Sequence, residues 1–144
     1  MNILVIGAGG VGASMASIAE TRAFFSSFVR ADISLSRAQE AIALLDNSDK
    51  FSAAQVDARD EVAIGKLIHE HNIDIVVNAC DPRLNEPIFN AAYTSHCNYI
   101  DMAMNLSVPH PENPYEEVGT PLGNSQLAAD ESWRERGLLA LVGM

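Results

Sequence analysis

The fold is decided by residues 2–12, NILVIGAGGVG. Residues 2–6, apolar apart from Asn2, are typical of a strand buried on both faces and lead directly into glycines at Gly7, Gly9, Gly10 and Gly12. Small and apolar residues at helical spacing follow over residues 11–22. A strand, a glycine-rich turn and a helix in this order are typical of a dinucleotide phosphate site, although the glycines alone also fit a plain turn.

Three of these glycines each meet a specific requirement of a phosphate site. Gly7 allows the tight turn off the strand, Gly9 lets the backbone approach a pyrophosphate, and Gly12 lets the helix pack on the strand. The helix then presents its free N–H groups and the positive end of its dipole to the anion. Gly10 stands at a variable position and reduces steric hindrance further.

An acidic residue follows at the distance that such a site requires. Asp32 comes 20 residues after Gly12, at the end of a predicted second strand over 28–33. A carboxylate there accepts hydrogen bonds from both hydroxyls of the adenosine ribose and repels a 2′-phosphate. We therefore expect NAD, with NADP as the second option because Ser34 and Arg37 are placed to hold a phosphate. A solvated strand end is the alternative interpretation of Asp32.

Strands and helices alternate along the rest of the chain. Further strands are predicted at 52–56, 74–79, 98–102 and 138–142, and helices at 36–45, 59–71, 85–96 and 125–136. This alternation predicts an α/β, Rossmann-like fold: a doubly wound parallel sheet of about six strands with helices on both faces. Residues 105–124 hold four of the six prolines and are predicted to be a long irregular loop.

Candidate site residues follow from the strand ends, because the ligand of a doubly wound sheet lies across them. Asp57 follows the third strand and either caps an adenine pocket or begins the next helix. Asn78 ends the fourth strand and either binds a ribose or ties two loops together, while Ala79 is small enough to admit a cofactor. Asp101 ends the fifth strand and is a candidate for orienting a substrate or transferring a proton.

Composition limits the classes of function. A chain of 144 residues, 48% hydrophobic, fits one globular domain. The net charge of −10 and the scattered basic residues argue against nucleic-acid binding. No apolar run reaches the roughly 20 residues of a membrane span, and the start lacks the basic segment of a secretory signal. We therefore expect a cytoplasmic protein with neither a nucleic acid nor a membrane as partner.

Cysteines and histidines predict no further chemistry. Cys80 and Cys97 are expected to be reduced, and Cys80 is assigned to packing because no basic residue lies nearby in sequence. His69 and His71 are two residues apart on a predicted helix and point to different faces. No metal site is predicted.

Three stretches of the sequence resemble the saccharopine dehydrogenase family. They are VIGAGGVG at 5–12, VDARD at 56–60 and VVNACDPRLNEPIFNAAYTSHCNYIDMA at 76–103. The similarity is to the branch with saccharopine reductase, lysine dehydrogenase and carboxynorspermidine dehydrogenase, and it covers nearly the whole chain. It implies hydride transfer between NAD(P) and the C–N bond of an amino-acid-derived or polyamine-type amine or imine.

The resemblance also implies roles for individual residues. The four glycines and Val11 are implied to hold the pyrophosphate, Asp32 the ribose, Asp57 and Ala58 the adenine end, Asn78 and Ala79 the ribose and nicotinamide, and Asp101 the region of the reacting centre. Many relatives have an arginine directly after the acidic residue of the second strand, where this chain has Ile33. That difference weighs against NADP.

Residues 1–144 are expected to be the N-terminal nucleotide-binding domain of a longer, homodimeric enzyme whose second domain supplies much of the substrate site. The domain alone is expected to bind cofactor without activity. One alternative is a non-catalytic NAD-sensing domain of the kind that gates potassium transport, and another is a regulator that binds cofactor without turnover. The loop over 105–124 and the block through Tyr99 and Asp101 favour the enzyme over the gating domain.

Overall fold

A six-stranded parallel sheet forms the centre of the structure, a computed structural model that describes residues 1–46 and 48–143. The strands lie in the order β3-β2-β1-β4-β5-β6. Their bounds are β1 (Asn2–Ile6), β2 (Ser27–Asp32), β3 (Phe51–Gln55), β4 (Ile75–Asn78), β5 (Asn98–Asp101) and β6 (Ala140–Leu141). This is the order of a doubly wound dinucleotide-binding sheet, so the predicted fold class is confirmed.

Six helices within the described residues flank the sheet. They are α1 (Gly10–Glu20), α2 (Leu35–Ala43), α3 (Glu61–Glu70), α4 (Asn85–Thr94), α5 (Asn124–Ala128) and α6 (Asp130–Glu135), with one 3-10 turn at Pro82–Leu84 before α4. Two of the helix starts are fixed by side-chain caps. The Ser34 side chain accepts from the Arg37 N–H to begin α2, and the Asp60 side chain accepts from the Ala63 N–H to begin α3.

The core lies in two layers, one on each face of the sheet. Leu4 and Ile6 of β1 belong to the larger layer, which α3, α4 and α6 cover. Ile3 and Val5 belong to the smaller layer beneath α1. Because side chains alternate across a strand, the unbroken apolar run of β1 supplies both layers. No helix among the described residues has the length and apolar character needed to cross a membrane.

The C-terminal part departs from the predicted elements. The single helix predicted over 125–136 is two short helices, because the Ala129 N–H bonds to the Gln126 carbonyl, three residues back. The break leaves Gln126 facing the end of β5 and Trp133 packed in the larger core layer. The predicted strand over 138–142 pairs with β5 through Ala140 and Leu141 alone. The loop before α5 is irregular as predicted, apart from one bridge between Val108 and Thr120.

Candidate cofactor-binding site

A cleft of about 390 Å³ opens where β1 and β4 end side by side. The chain leaves these two neighbouring strands toward opposite edges of the sheet, which creates a crevice at their carboxyl ends. The cleft is lined by Ile6, Gly7, Gly9, Asp32, Ile33, Arg37, Val56, Asp57, Ala58, Arg59, Ala79, Cys80, Asp81 and Leu84. A larger groove of about 510 Å³ lies between α6 and β6, remote from the glycine loop. The candidate site is the first of these, because the predicted residues converge there.

Backbone contacts require glycine at two positions of the loop. Gly7 has a φ of +110°, and a Cβ on it would lie 2.8 Å from the Ala79 carbonyl oxygen. A Cβ on Gly12 would lie 2.0 Å from the Gly7 carbonyl oxygen. A Cβ on Gly9 or Gly10 would meet nothing within 4 Å. The loop is therefore packed tightly against β4 on its inner side and open on its outer side.

No side chain among residues 1–46 and 48–143 caps the N–H groups at the start of α1. Gly9 occupies the N-cap, makes no side-chain cap, and no acidic residue stands in the first turn. An uncapped helix start carries partial positive charge and free donors, which suit a phosphate group. With open space above Gly9 and Gly10, these residues fit the diphosphate of a dinucleotide. Val11 lies in this first turn, so the five residues predicted for the pyrophosphate all fall within residues 7–12.

Asp32 lies at the end of β2 and connects the loop to the cleft. Its Oδ2 accepts a 2.7 Å hydrogen bond from the Ala8 N–H, and its Oδ1 accepts one of 2.9 Å from the Ser34 N–H. The Arg37 guanidinium lies 3.8 Å from the same Oδ1. The carboxylate is thus held rigidly at the wall of the cleft. The alternative of a solvated strand end does not describe it, since Asp32 is buried.

A second acidic and basic pair lies at the end of β3. The Asp57 carboxylate accepts a 2.9 Å hydrogen bond from the Arg59 N–H, and the Arg59 side chain lies 3.6 Å from it. Asp57 does not begin the next helix, because Asp60 caps α3. Asp57 and Ala58 instead line the cleft on the side away from β4.

Asn78 lies beneath the cleft and joins two segments. Its Oδ1 accepts a 2.9 Å hydrogen bond from the Cys80 N–H, and its Nδ2 donates to Asn85 Oδ1 at 2.7 Å and to the Tyr99 hydroxyl at 3.1 Å. This is the second of the two arrangements predicted for Asn78, in which it ties loops together. Ala79, the next residue, lines the cleft directly.

Asp101 is placed below the site rather than in it. The side chain is 1% exposed and is not part of the cleft wall. Its Oδ2 accepts from the Tyr99 hydroxyl at 3.0 Å and the Gln126 amide at 2.6 Å, and its Oδ1 accepts from the Gly143 N–H at 2.7 Å. The catalytic role stays a prediction, and this geometry favours a positioning role over contact with a substrate.

The thiol of Cys80 lines the cleft but is chemically quiet. Its Sγ donates to the Ile6 carbonyl at 3.4 Å. Burial, together with the charges of Asp32 and Asp81, raises the pKa of Cys80 to about 11. A thiol that stays protonated at neutral pH is a weak nucleophile, which supports the packing role expected from the sequence. Among the residues with a described position, no cluster of His, Cys, Asp and Glu suits a metal ion.

Three polar residues matter here that sequence reasoning missed. Arg59 lines the cleft, Gln126 holds Asp101, and Arg30 is fully buried beneath α1. Arg30 carried a usable signal, because a charged residue stands among the apolar residues Phe28, Val29 and Ala31 in the middle of an interior strand. Gln126 carried none, since its partner lies 25 residues away in sequence.

Comparison with known families and proteins gives one consistent result. Residues 3–141 match the family described as the saccharopine dehydrogenase NADP binding domain. The chain is 29% identical over 150 residues to the carboxynorspermidine synthase of Vibrio cholerae, covering 99% of this chain and 35% of that protein. The chain thus spans about a third of the length of this curated relative.

Solved structures agree on the fold. The apo saccharopine dehydrogenase (L-Glu forming) of Saccharomyces cerevisiae superposes with a TM-score of 0.71 at 14% identity, covering 99% of this chain and 27% of that one. The quinate dehydrogenase of Corynebacterium glutamicum, in complex with NAD, superposes with a TM-score of 0.59 at 22% identity, covering 99% and 44%. At these identities the likeness concerns the fold alone.

Proposed function

The chain belongs to the saccharopine dehydrogenase family, as one of its NADP-binding domains, and on that premise we propose that it is the dinucleotide-binding part of an oxidoreductase. The resemblance predicted from the sequence is confirmed by that membership. The proposed reaction is hydride transfer between NAD(P) and the carbon of a C–N bond in an amino-acid-derived or polyamine-type amine or imine. The matched family is named for saccharopine dehydrogenase, and the relative from Vibrio cholerae is named for carboxynorspermidine.

One observation carries the proposal: a glycine loop that is packed tightly on its inner side and open on its outer side, at the start of an uncapped helix. Residues Gly9 to Gly12 would bind the diphosphate through backbone N–H groups and the dipole of α1. When bound, the nicotinamide supplies the hydride chemistry. This part of the chain contributes binding, orientation and electrostatics.

The ribose end of the cleft would be bound by Asp32. Its carboxylate is fixed by the Ala8 and Ser34 N–H groups, so it is preorganised to accept from the ribose hydroxyls of NAD. Arg37, 3.8 Å away, is placed to meet a 2′-phosphate, so NADP remains the second cofactor. Asp57 and Ala58 would lie beside the adenine of the cofactor, and Ala79 would leave room for its nicotinamide half.

We assign substrate recognition to a part of the protein outside these 144 residues. The relative from Vibrio cholerae is about three times as long as the part that matches, which supports a second domain carrying much of the substrate site and the dimer interface. Asp101 would act there as a positioning residue that holds the end of β5, its carboxylate buried under Gln126. We expect the 144 residues alone to bind the cofactor without catalysing turnover. We expect the full-length enzyme to be cytoplasmic.

Titration with NADH and NADPH tests the proposal. Nicotinamide fluorescence should change saturably as the chain is added to either dinucleotide, with tighter binding of NADH. Failure of both to bind at millimolar concentration would refute the dinucleotide site. The reaction itself requires the full-length protein, assayed for amine-dependent reduction of NAD or NADP. Cofactor binding without any such activity would favour the sensor or the regulator instead.

A further inference from the structure

Arg30 is a charged residue in the middle of an interior strand. Its register partners are Val5 of β1 and Ala53 of β3, and its side chain is 0% exposed. It shares a sheet face with Phe28, the face that α1 covers. Its Nη2 lies 3.7 Å from the position that a Cβ on Gly12 would take. The guanidinium therefore lies directly beneath the first turn of α1.

The guanidinium of Arg30 has no acceptor in the part of the chain that the structure describes. All three nitrogens are sealed from solvent, and none has a hydrogen-bond partner among residues 1–46 and 48–143. Asp32 lies two residues further along the strand, but its carboxylate oxygens accept from Ala8 and Ser34. Burial lowers the pKa of Arg30, and the charge of Asp32 only opposes that decrease. A buried cation without an acceptor is costly, so a nearby anion would stabilise it.

The side chains around the cleft supply no excess of either charge. Three aspartates and two arginines line the cleft, and with Arg30 their charges sum to zero, so a positive potential there must come from local features. The uncapped start of α1 adds the positive end of its dipole. Two independent features, a buried cation and a helix start, thus point to one anion above the loop.

We propose that Arg30 is the buried counter-charge for the diphosphate of the bound dinucleotide, acting across the backbone of the glycine loop. The inference rests on the proposed function, because it requires a dinucleotide at the start of α1. Since backbone separates the guanidinium from the cleft, the attraction is electrostatic rather than a direct hydrogen bond. In a buried environment of low dielectric, such an attraction is stronger than between solvated charges. It is specific for the diphosphate and not for ribose or adenine.

Calorimetric titration of the 144-residue chain with inorganic diphosphate, ADP and adenosine tests this role. Arg30→Met removes the charge and keeps a similar apolar volume, so the Kd for diphosphate and ADP should rise about tenfold, which is about 1.4 kcal/mol. The Kd for adenosine, which lacks phosphate, should stay unchanged. Arg30→Lys keeps the charge and should retain most of the ADP affinity. Arg134→Met, at an exposed site remote from the cleft, controls for the loss of one positive charge.

Thermal unfolding provides the second measurement. Arg30→Met should unfold at the same temperature as the unchanged chain or above it, because a buried unpaired charge is removed. Undiminished ADP affinity in Arg30→Met would overturn the role of Arg30 and leave the proposed function standing. An equal loss of ADP and adenosine binding, or a destabilised or unfolded variant, would also overturn it by assigning Arg30 to packing alone. If the unchanged chain binds none of the ligands, both proposals fail.

Discussion

The amide of Gln126 donates a 2.6 Å hydrogen bond to the carboxylate of Asp101, and both side chains are buried. Gln126 also accepts a 2.9 Å hydrogen bond from the Asn105 N–H, so one side chain joins the start of the long loop, its end at α5 and the end of β5. The Gly143 N–H adds the segment after β6 to the same carboxylate. Asp101 therefore fixes the irregular part of the chain against the sheet.

Replacing Asp101 with asparagine should destabilise the domain. Both carboxylate oxygens of Asp101 accept hydrogen bonds from neighbouring donors. The carboxamide of asparagine offers one accepting oxygen and directs the two N–H groups of its amide at some of those same donors. We expect the free energy of unfolding to fall by about 2–4 kcal/mol, the range for leaving buried polar groups unpaired. Urea denaturation followed by Trp133 fluorescence measures it.

Asp130→Asn is the matched control, because Asp130 is an exposed carboxylate that pairs with Arg134 on α6. Its loss should change stability by less than about 1 kcal/mol. If the two variants were equally stable, the carboxylate of Asp101 would not be needed for the fold. A full-length enzyme with Asp101→Asn that folds normally but loses turnover would support the catalytic role predicted from the sequence.

Alanine substitutions at three glycines of the loop should separate the effects on folding from the effects on binding. Gly12→Ala places a methyl group against the Gly7 carbonyl oxygen and should cost about 2–3 kcal/mol of stability. Gly9→Ala meets no atom within 4 Å, and the φ of Gly9 is −71°, so the variant should fold normally. Its methyl group nevertheless occupies the space through which a diphosphate approaches, so NADH binding should weaken about tenfold, roughly 1.4 kcal/mol.

Gly10→Ala controls for the added methyl group. It lies in the first turn of α1 with open space around it, so it should gain up to about 1 kcal/mol of stability and keep its NADH affinity. Thermal unfolding and NADH titration of the three variants measure both effects. Equal NADH binding by the Gly9→Ala and Gly10→Ala chains would place the diphosphate elsewhere.

Local rules predicted the sheet and the loop, because the relevant interactions lie close together in sequence. The apolar run of β1, the turn at Gly7 and the contact of Gly12 with Gly7 all fall within residues 2–12. The position of the Asp32 carboxylate is predicted by its distance in sequence from the glycines, since β2 must return beside β1. These features predict a candidate cofactor site without any knowledge of distant contacts.

Contacts between residues that are far apart in the sequence determine the roles of polar side chains that the sequence alone does not predict. Nothing near Asp101 indicates that Gln126 and Gly143 occupy its oxygens, because α5 and the last segment reach it only after a long irregular loop. The sequence is compatible with two roles for Asn78, and its hydrogen bond to Asn85 assigns it to the network that ties two segments together. A strand end can be located from its pattern, but whether its polar side chain faces a cleft or a buried network depends on tertiary packing.

Asp32 should set the choice between the two dinucleotides. In the unchanged chain we expect NADH to bind more tightly than NADPH, because the carboxylate accepts from the ribose and repels a 2′-phosphate. Asp32→Asn removes the repulsion, so the ratio of NADPH to NADH affinity should rise about tenfold. Competitive fluorescence titration gives this ratio, in which any general loss of binding cancels.

Arg37→Met is the complementary variant. Arg37 lies at the cleft wall, 3.8 Å from Asp32, and its loss should weaken NADPH binding while leaving NADH binding nearly unchanged. If NADPH binds more tightly than NADH to the unchanged chain, and Arg37→Met reverses that order, the 2′-phosphate is recognised and the role assigned to Asp32 is wrong.

The thiol of Cys80 should report both the environment and the occupancy of the cleft. Burial and two nearby carboxylates raise its pKa to about 11, so almost all of it is protonated at pH 8. In a Cys97→Ala background, alkylation by iodoacetamide at pH 8 should be roughly a hundredfold slower than in the urea-unfolded chain, because only the thiolate reacts. The rate should rise about tenfold per pH unit up to the raised pKa.

Bound NADH should slow the alkylation of Cys80 further, since Cys80 lines the cleft. A rate that levels off below pH 9, or one that NADH leaves unchanged, would contradict this placement of the thiol.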